Sequence, residues 1–314
     1  MQTNNLIKSP LNYTGGKYKL LKQLLPLFPD NVTRFVDLFC GGCDIAANVT
    51  AKKIFANDID RSVVGIMKTF QLVDEDSLFK MLYDTIDKYG LSDITANGYS
   101  FYGCDSNKGL GPYNKQGYEA LRKYVNGLGK SSVEYHLLLF LLIVFSFNNQ
   151  IRFNKKGEFN MPVGKRDFNS NMREKLKKFI KSLKEKSIVF TNYDFRRLDT
   201  NRLTDNDFVY CDPPYLITCA TYNEQGGWSE KDETELYQKL DGLDERGVKF
   251  CVSNVLSNKG KVNTILKEWS EKYTVVRLTN SYSNCSYHAL DKSTDSTEEV
   301  AVFNYVPKSI STKI

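Results

Sequence analysis

The sequence predicts an α/β fold in which a mixed sheet is interrupted by a long helical insertion. Short strand-like runs alternate with helix-like segments near the N-terminus, helical periodicity dominates residues 73–186, and strand-like runs return after that. Hydrophobic residues make up 41% and charged residues 25% of the 314 residues. This composition is typical of a globular protein with a sizeable core.

The N-terminal part has the pattern of a βαβ unit. An apolar run at residues 34–39 ends in Cys40-Gly41-Gly42, which predicts a strand entering a tight loop. A second run at residues 53–56 ends at Asn57-Asp58 and precedes a helix-like segment at residues 60–72. We therefore expect two neighbouring strands joined by a glycine loop.

The sheet is predicted to resume after the insertion. Five further strand-like runs lie at residues 187–190, 208–210, 249–252, 273–277 and 300–303. Helix-like segments separate several of them, and one begins with Ser229 followed three residues later by Asp232, a helix-start signal.

The net charge of +6 is concentrated in the insertion. Residues 151–186 contain twelve Lys or Arg against four acids. The net charge of this segment, +8, is therefore larger than that of the whole chain. Such clustering favours a nucleic-acid partner, although the helical part at residues 172–186 is also compatible with a solvated face.

Other classes are disfavoured. The longest apolar run, residues 137–145, is far shorter than the roughly 20 residues that cross a bilayer, and the first ten residues lack a secretory pattern. We therefore expect a cytoplasmic protein, no membrane partner and reduced thiols on its seven cysteines. Cys40 and Cys43 lack a second pair or a nearby histidine, so no metal is expected.

A first group of residues indicates an adenosine-containing cofactor. Asp37, Gly41 and Gly42 lie where a strand turns into a loop, and paired glycines let a backbone approach a ligand closely. Asp58 ends the next strand, where a carboxylate accepts hydrogen bonds from ribose hydroxyls. The three-glycine dinucleotide pattern is absent, which disfavours an oxidoreductase. An ordinary glycine turn with a surface acid is the alternative.

The strongest signal is the segment Asp212-Pro213-Pro214-Tyr215 after a strand-like run. Methylation of an exocyclic amine requires acceptors that draw the amine out of conjugation, and the Asp212 carboxylate and the Pro213 carbonyl have that chemistry. Proline fixes φ, and the Tyr215 ring offers a face for a flat base. The alternative is a strand that ends in a turn.

These residues resemble the Dam-type (D12 class) DNA adenine methyltransferases, whose catalytic motif is Asp-Pro-Pro-Tyr. The segment Asn12-Tyr-Thr-Gly-Gly-Lys17 is similar to a second motif of that family. Further similar segments, in the family's order, are residues 118–126, 152–164, 193–195 and 299–304. The resemblance implies a Rossmann-like methyltransferase fold with helices on both faces of the sheet. It assigns residues 1–72 and 187–314 to the catalytic domain and 73–186 to an inserted, mostly helical DNA-recognition domain with a basic hairpin.

The resemblance also implies S-adenosylmethionine as cofactor and adenine in double-stranded DNA as substrate, with base flipping and no metal. The implied catalytic residues are Asp212, Pro213, Pro214 and Tyr215. The implied cofactor residues are Tyr13, Gly15, Gly16, Lys17, Asp37, Phe39, Gly41, Gly42, Asp58, Asp194, Phe195 and Asp212. The expected DNA contacts are Lys17, Arg152, Asn154, Lys155, Lys156, Asn160, Lys165 and Arg166, with the hairpin in a groove and the last two on phosphates.

Two aromatic residues and one histidine complete the expectations. Tyr222 or Trp228 would shelter a flipped base, with packing of the following helix as an equal account of Trp228. His136 lies in an apolar run and is interpreted as a core residue. We expect a protein that acts as a monomer beside a restriction endonuclease. The open alternatives are methylation of another planar amine, in cytosine or RNA, and a DNA-binding relative without activity.

Overall fold

A computed structural model of the chain describes residues 6–218, 227–279 and 297–308, and these form an eight-stranded mixed sheet. The strands are β1 (Arg34–Asp37), β2 (Lys53–Asn57), β3 (Ile188–Thr191), β4 (Phe208–Cys211), β5 (Lys249–Asn258), β6 (Lys261–Val262), β7 (Thr274–Leu278) and β8 (Glu298–Phe303). Their order is β3-β2-β1-β4-β5-β8-β7, with β6 paired to β5. The first five strands of this order are parallel, and β8 is antiparallel to both of its neighbours.

The predicted strands are confirmed, each to within two residues at its start. The end of β5 is the main difference, because the strand continues to Asn258 and turns back through β6. The turn at Lys259 and Gly260 has positive φ at both residues. A two-residue strand such as β6 has no periodicity to detect, so the sequence does not predict it.

The helices are α1 (Leu21–Leu24), α2 (Arg61–Leu72), α3 (Glu75–Lys88), α4 (Ile94–Phe101), α5 (Gly111–Asn126), α6 (Val133–Phe145), α7 (Ser170–Glu185), α8 (Glu230–Asp244) and α9 (Thr264–Ser270). The start signal of α8 is confirmed, because Ser229 and Asp232 form a reciprocal capping box. Asp60 caps α2 by accepting from the backbone N–H groups of Ser62 and Val63.

Alternating strand residues divide the interior into two cores, one on each face of the sheet. Phe35 and Tyr210 belong to the larger core, which includes residues of α2, α6 and α7. Val36 and Val209 belong to the second core, which includes residues of α8 and α9. Because side chains of a strand point alternately to opposite faces, helices cover both sides. The prediction of an α/β mixed sheet with helices is therefore confirmed.

The insertion is joined to the sheet through α6 and α7, which pack against α2. Residues 137–145 lie in α6 and are all buried, which confirms the interpretation as a core helix. No helix in the described ranges is long and apolar enough to span a membrane. Between α6 and α7, the chain forms a hairpin with a Phe153–Phe159 bridge and a turn at Gly157, where φ is +71°.

His136 is a core residue, as predicted. Its side chain is only 8% exposed and packs where α6 crosses α2 at Gly65. A Cβ on Gly65 would lie 2.0 Å from His136 Nε2, so only glycine permits this approach. Burial lowers the pKa of His136, which favours the neutral ring.

We expect Gly65→Ala to destabilise the protein by about 1–3 kcal/mol, because the added methyl overpacks the α2–α6 contact. The control is Gly242→Ala in α8, where a Cβ meets no atom within 4 Å. Urea unfolding should show a smaller combined loss for Gly65→Ala with His136→Ala than the sum of the single losses. Additive losses would contradict the contact.

Candidate active site

Three aspartates gather at one edge of the sheet. Asp37 is the last residue of β1, Asp58 follows β2, and Asp212 follows β4. These strands are parallel and adjacent, so their carboxyl ends meet at the same edge. Loops at this edge of an open α/β sheet are the usual place for a ligand.

Lys17 connects the N-terminal segment to this edge. Its Nζ lies 2.6 Å from Asp212 Oδ1 and 3.4 Å from Glu299 Oε1, and it donates to the Gly15 carbonyl at 3.2 Å. The side chains of Lys17 and Glu299 are each 4% exposed, whereas that of Asp212 is 16% exposed. Lys17 is therefore a buried cation between two carboxylates, one of which reaches the surface.

The Tyr215 hydroxyl belongs to the same network. It donates toward Asp212 Oδ1 at 3.2 Å or Glu299 Oε1 at 2.9 Å, and Lys17 Nζ bonds to it. Ser253 Oγ, on β5, donates to Asp212 Oδ1 at 3.1 Å. Every hydrogen bond that Asp212 accepts from Lys17, Tyr215 or Ser253 goes to Oδ1. Within the described ranges Oδ2 therefore remains available to another donor.

Sequence reasoning missed Ser253 of this network and also Glu299. It lies in the predicted last strand and in a segment that resembles the family, yet it received no role. On β8 it pairs in register with Val255 of β5, which places its side chain beside the end of β4. An acid directly before an apolar run of a strand is a signal, because such a carboxylate is buried only when it is paired.

Lys17 and the carboxylates of this network each favour the charged form of the other. Burial lowers the pKa of Lys17, but Asp212 and Glu299 outweigh it and raise that pKa above its usual value. Burial raises the pKa of Asp212, and the Lys17 ammonium opposes that rise. The site therefore keeps a protonated lysine beside an aspartate whose negative charge depends on it.

The glycine loop after β1 is shaped by Tyr13. A Cβ on Gly41 would lie 2.8 Å from the Tyr13 ring, and φ of Gly41 is +44°, so the position requires glycine. A Cβ on Gly42 would lie 3.2 Å from Tyr13 Cβ. Gly15 and Gly16 form an exposed turn in which the Gly16 N–H donates to the Tyr13 carbonyl. Tyr13 is therefore in contact with both glycine segments: its carbonyl accepts from Gly16, and its side chain packs against the loop of Gly41 and Gly42.

Asp58 fixes this loop from the end of β2. Its Oδ2 accepts from the Gly41 N–H at 2.8 Å, and its Oδ1 accepts from the Asp60 N–H at 2.8 Å. Burial raises the pKa of Asp58 to about 6. Asp37 is 1% exposed, and in the described part of the chain neither carboxylate oxygen has a hydrogen bond of normal geometry, although the nearby Ala46 N–H favours its charged form. Burial raises the pKa of Asp37 well above its usual range, and the nearby Asp212 adds to that rise.

Three aromatic side chains pack against one another beside this edge of the sheet. The rings of Phe39, Phe195 and Trp228 have centroids 5.4–5.7 Å apart. Trp228 Nε1 donates to Glu233 of α8 at 3.3 Å, so packing of the following helix accounts for its position. Asp194 caps the short turn of Phe195 and pairs with Arg196. Tyr222 lies outside the described residues.

The candidate DNA-binding residues of the hairpin form hydrogen bonds with other residues of the hairpin. Arg152 donates from Nε to Asn160 Oδ1 at 2.9 Å, and Asn154 Oδ1 accepts from two backbone N–H groups of the turn. Lys155 and Lys156 are exposed at the tip. The Asn12 side chain, in the segment that leads to Lys17, donates to the Asn148 carbonyl just before the hairpin at 2.9 Å.

The two remaining basic candidates follow the hairpin. Lys165 donates to the Asn107 carbonyl at 3.1 Å, and Arg166 is exposed.

Among the catalytic candidates, Pro213 is buried and Pro214 is exposed. In the described ranges no cluster of three or more His, Cys, Asp or Glu side chains has the arrangement of a metal site.

Comparison with known proteins identifies the family. The model of a family described as D12 class N6 adenine-specific DNA methyltransferase matches residues 13–284. This chain belongs to that family. The Dam-type resemblance of the motifs is thereby confirmed.

Three curated relatives illustrate the match. Type II methyltransferase M.FokI of Planomicrobium okeanokoites is 40% identical over 310 residues, covering 97% of this chain and 44% of that protein. Modification methylase StsI of Streptococcus sanguinis is 38% identical, covering 98% and 44%. A DNA adenine methylase of Haemophilus influenzae is 27% identical, covering 65% and 63%. The chain thus spans less than half the length of the first two relatives.

We expect Lys17→Met to destabilise the protein more at pH 8 than at pH 5. Without the ammonium, the folded-state pKa of Asp212 rises further above the unfolded value of about 3.9. The folded protein then holds a proton that the unfolded chain releases, so the loss of stability grows as pH rises. Removing one partner of a buried pair costs about 3–5 kcal/mol.

Urea unfolding at the two pH values measures this effect. Lys19→Met is the matched control, because Lys19 is exposed two residues away. An equal loss for Lys17→Met at both pH values would contradict the coupling between Lys17 and the buried carboxylates.

Proposed function

We propose that this chain transfers a methyl group from S-adenosylmethionine to the exocyclic amino group of adenine in a specific duplex DNA sequence. The observation that carries the proposal is the Asp212 carboxylate, held on Oδ1 by Lys17 and Ser253, with Oδ2 available within the described ranges. An acceptor fixed in this way is suited to an amine donor. The family membership of the chain and the motif Asp-Pro-Pro-Tyr support the same chemistry.

The residues near the glycine loop fit the cofactor. Asp37 is a buried acid that lacks a hydrogen bond of normal geometry and a cationic partner among the described residues, and it lies beside a loop that Asp58 and Tyr13 shape. A ligand with an ammonium or sulfonium group would supply that cation. We assign cofactor binding to the Tyr13 and Gly41 loops, to Asp37 and Asp58, and to the Phe39–Phe195 side. When bound, S-adenosylmethionine supplies an electrophilic methyl group on sulfur.

The chain then has three tasks in the reaction. Asp212 Oδ2 and the Pro213 carbonyl accept hydrogen bonds from the adenine amine, and the half-exposed Tyr215 ring stacks on the flipped base. Bound S-adenosylmethionine would supply the methyl group to the amine nitrogen with the thioether as leaving group, and the proton released by the methylated amine would pass to the Asp212 carboxylate or to water. Positioning and fixed dipoles supply the catalysis, so no covalent enzyme intermediate is required.

The same proposal assigns DNA recognition to the insertion. Residues 1–72 and 187–314 would form a Rossmann-like catalytic domain, and residues 73–186 would carry the hairpin with Arg152 at its start. Lys155, Lys156, Lys165 and Arg166 would contact the duplex in the cytoplasm, with the protein acting as a monomer. Two relatives are described as a type II methyltransferase and a modification methylase, which supports a role beside a restriction endonuclease.

The experiment incubates the protein with radiolabelled S-adenosylmethionine, duplex DNA and a chelator. We expect label in N6-methyladenine, and Asp212→Ala should lower turnover by about 10²–10³-fold, because the amine loses its fixed acceptor. Asp205→Ala, an exposed acid before β4, is the control and should keep full turnover. Label in cytosine alone would refute the proposal, and turnover within tenfold for Asp212→Ala would remove Asp212 from the mechanism.

A further inference from the structure

A basic cleft lies outside the site described above. It encloses about 270 Å³ between the N-terminal residues 6–8 and the first turns of α7. Lys8 and Tyr18 line one side, and Lys175 and Lys178 line the other. The cleft is thus formed by two parts of the chain that are far apart in sequence.

The sequence of α7 explains why the lysines face this cleft. Asn171, Lys175 and Lys178 are spaced four and three residues apart, so they share one face of the helix. Ser182 continues the same face and donates to the Ala47 carbonyl at 2.8 Å, which fixes this side of α7 against the loop that follows β1. The lysines therefore occupy defined positions near the glycine loop.

The cleft carries a net positive charge. Three lysines line it against one acid, Glu174, and the carboxylate of Asp44 lies nearby, but neither Lys8, Lys175 nor Lys178 forms an ion pair or hydrogen bond with another described residue. Lys8 instead lies over the Tyr18 ring, 5.4 Å from its centroid. In contrast, Lys181 of α7 does not line the cleft and is within 3.7 Å of Glu185.

Lys175 is half-buried and lies close to other positively charged side chains. Burial lowers its pKa, the positive charges of Lys8 and Arg166 lower it further, and the negative charge of Asp44 opposes them. Confining more cations than anions costs free energy, and an anion that enters the cleft would recover it. A polyanion is the ligand that such an arrangement favours.

The cleft also adjoins both functional regions. Tyr18 directly follows Lys17 of the candidate site, and its backbone N–H donates to Asp44 Oδ2 in the loop after β1. Arg166 lies two residues beyond the end of the hairpin motif, and α7 begins four residues later. A duplex that reaches both the hairpin and Asp212 would therefore have backbone near this cleft.

We propose that the cleft of Lys8, Lys175 and Lys178 binds phosphodiester groups of the duplex that flank the target adenine. This inference rests on the proposed function, since it takes DNA as the substrate. The contact is independent of base sequence, because lysine reads phosphate as a point charge. It adds a second anchoring point beside the hairpin and increases affinity for every duplex alike.

The test measures direct binding of the full chain to a fluorescent duplex over a salt series. The double variant Lys175→Ala/Lys178→Ala should lower the slope of log affinity against log salt by roughly 0.9 for each lost phosphate contact, close to 2 in total. The matched control, Lys177→Ala/Lys181→Ala, removes two charges from the same helix outside the cleft and should keep the wild-type slope. The charge-conserving Lys175→Arg/Lys178→Arg variant should also keep it and tests folding.

Duplexes shortened on either side of the methylated adenine identify the phosphates. Removing the flank that occupies the cleft should weaken wild-type binding and leave the alanine double variant unaffected. Equal salt slopes for wild type and that variant, or equal sensitivity of both to shortening, would overturn the proposal. If slopes differ as expected but no label reaches adenine, the proposed function fails while the cleft stands.

Discussion

The buried ammonium of Lys17 is the interaction on which the candidate site depends. It joins an N-terminal segment, the end of β4 and the middle of the sheet, because its partners are Asp212 and Glu299. A charge at this depth is tolerated only when it is paired and hydrogen-bonded. The position of the Asp212 carboxylate, and with it the orientation of Tyr215, therefore requires all three segments to be in place.

The second constraint is the close approach of Tyr13 to the glycine loop. Gly41 has no room for a side chain, and its N–H is held by Asp58 from the neighbouring strand. Both Tyr13 and Lys17 come from the same short segment before β1. One segment thus shapes the proposed cofactor loop and fixes the proposed catalytic carboxylate, which couples the two halves of the site through a few residues.

Much of this arrangement could be predicted from sequence. Strands with apolar runs, the Ser229 cap and the gathering of Asp37, Asp58 and Asp212 follow from periodicity and from parallel pairing. The role of Glu299 did not follow, because the pairing of β8 between β5 and β7 is a long-range feature that no local pattern reveals.

Side-chain partners are the other feature that sequence left open. Arg152 and Asn160 were expected to contact DNA, and the structure shows that they bond to each other across the hairpin. The Arg152 guanidinium only donates and the Asn160 amide oxygen accepts, so the cross-strand pair satisfies both side chains. The lysines of α7 were recognised as basic, yet only the fold separates those in the cleft from those on the solvated face.

A double-mutant cycle of Lys17→Met and Asp212→Asn tests the central interaction most directly. Urea unfolding of the wild type, both single variants and the double variant at neutral pH gives the coupling free energy between the two side chains. Because the pair is buried and in direct contact, we expect a coupling of at least about 1 kcal/mol. A coupling below roughly 0.3 kcal/mol, within the additivity of independent sites, would contradict the account that Lys17 holds the Asp212 carboxylate in place.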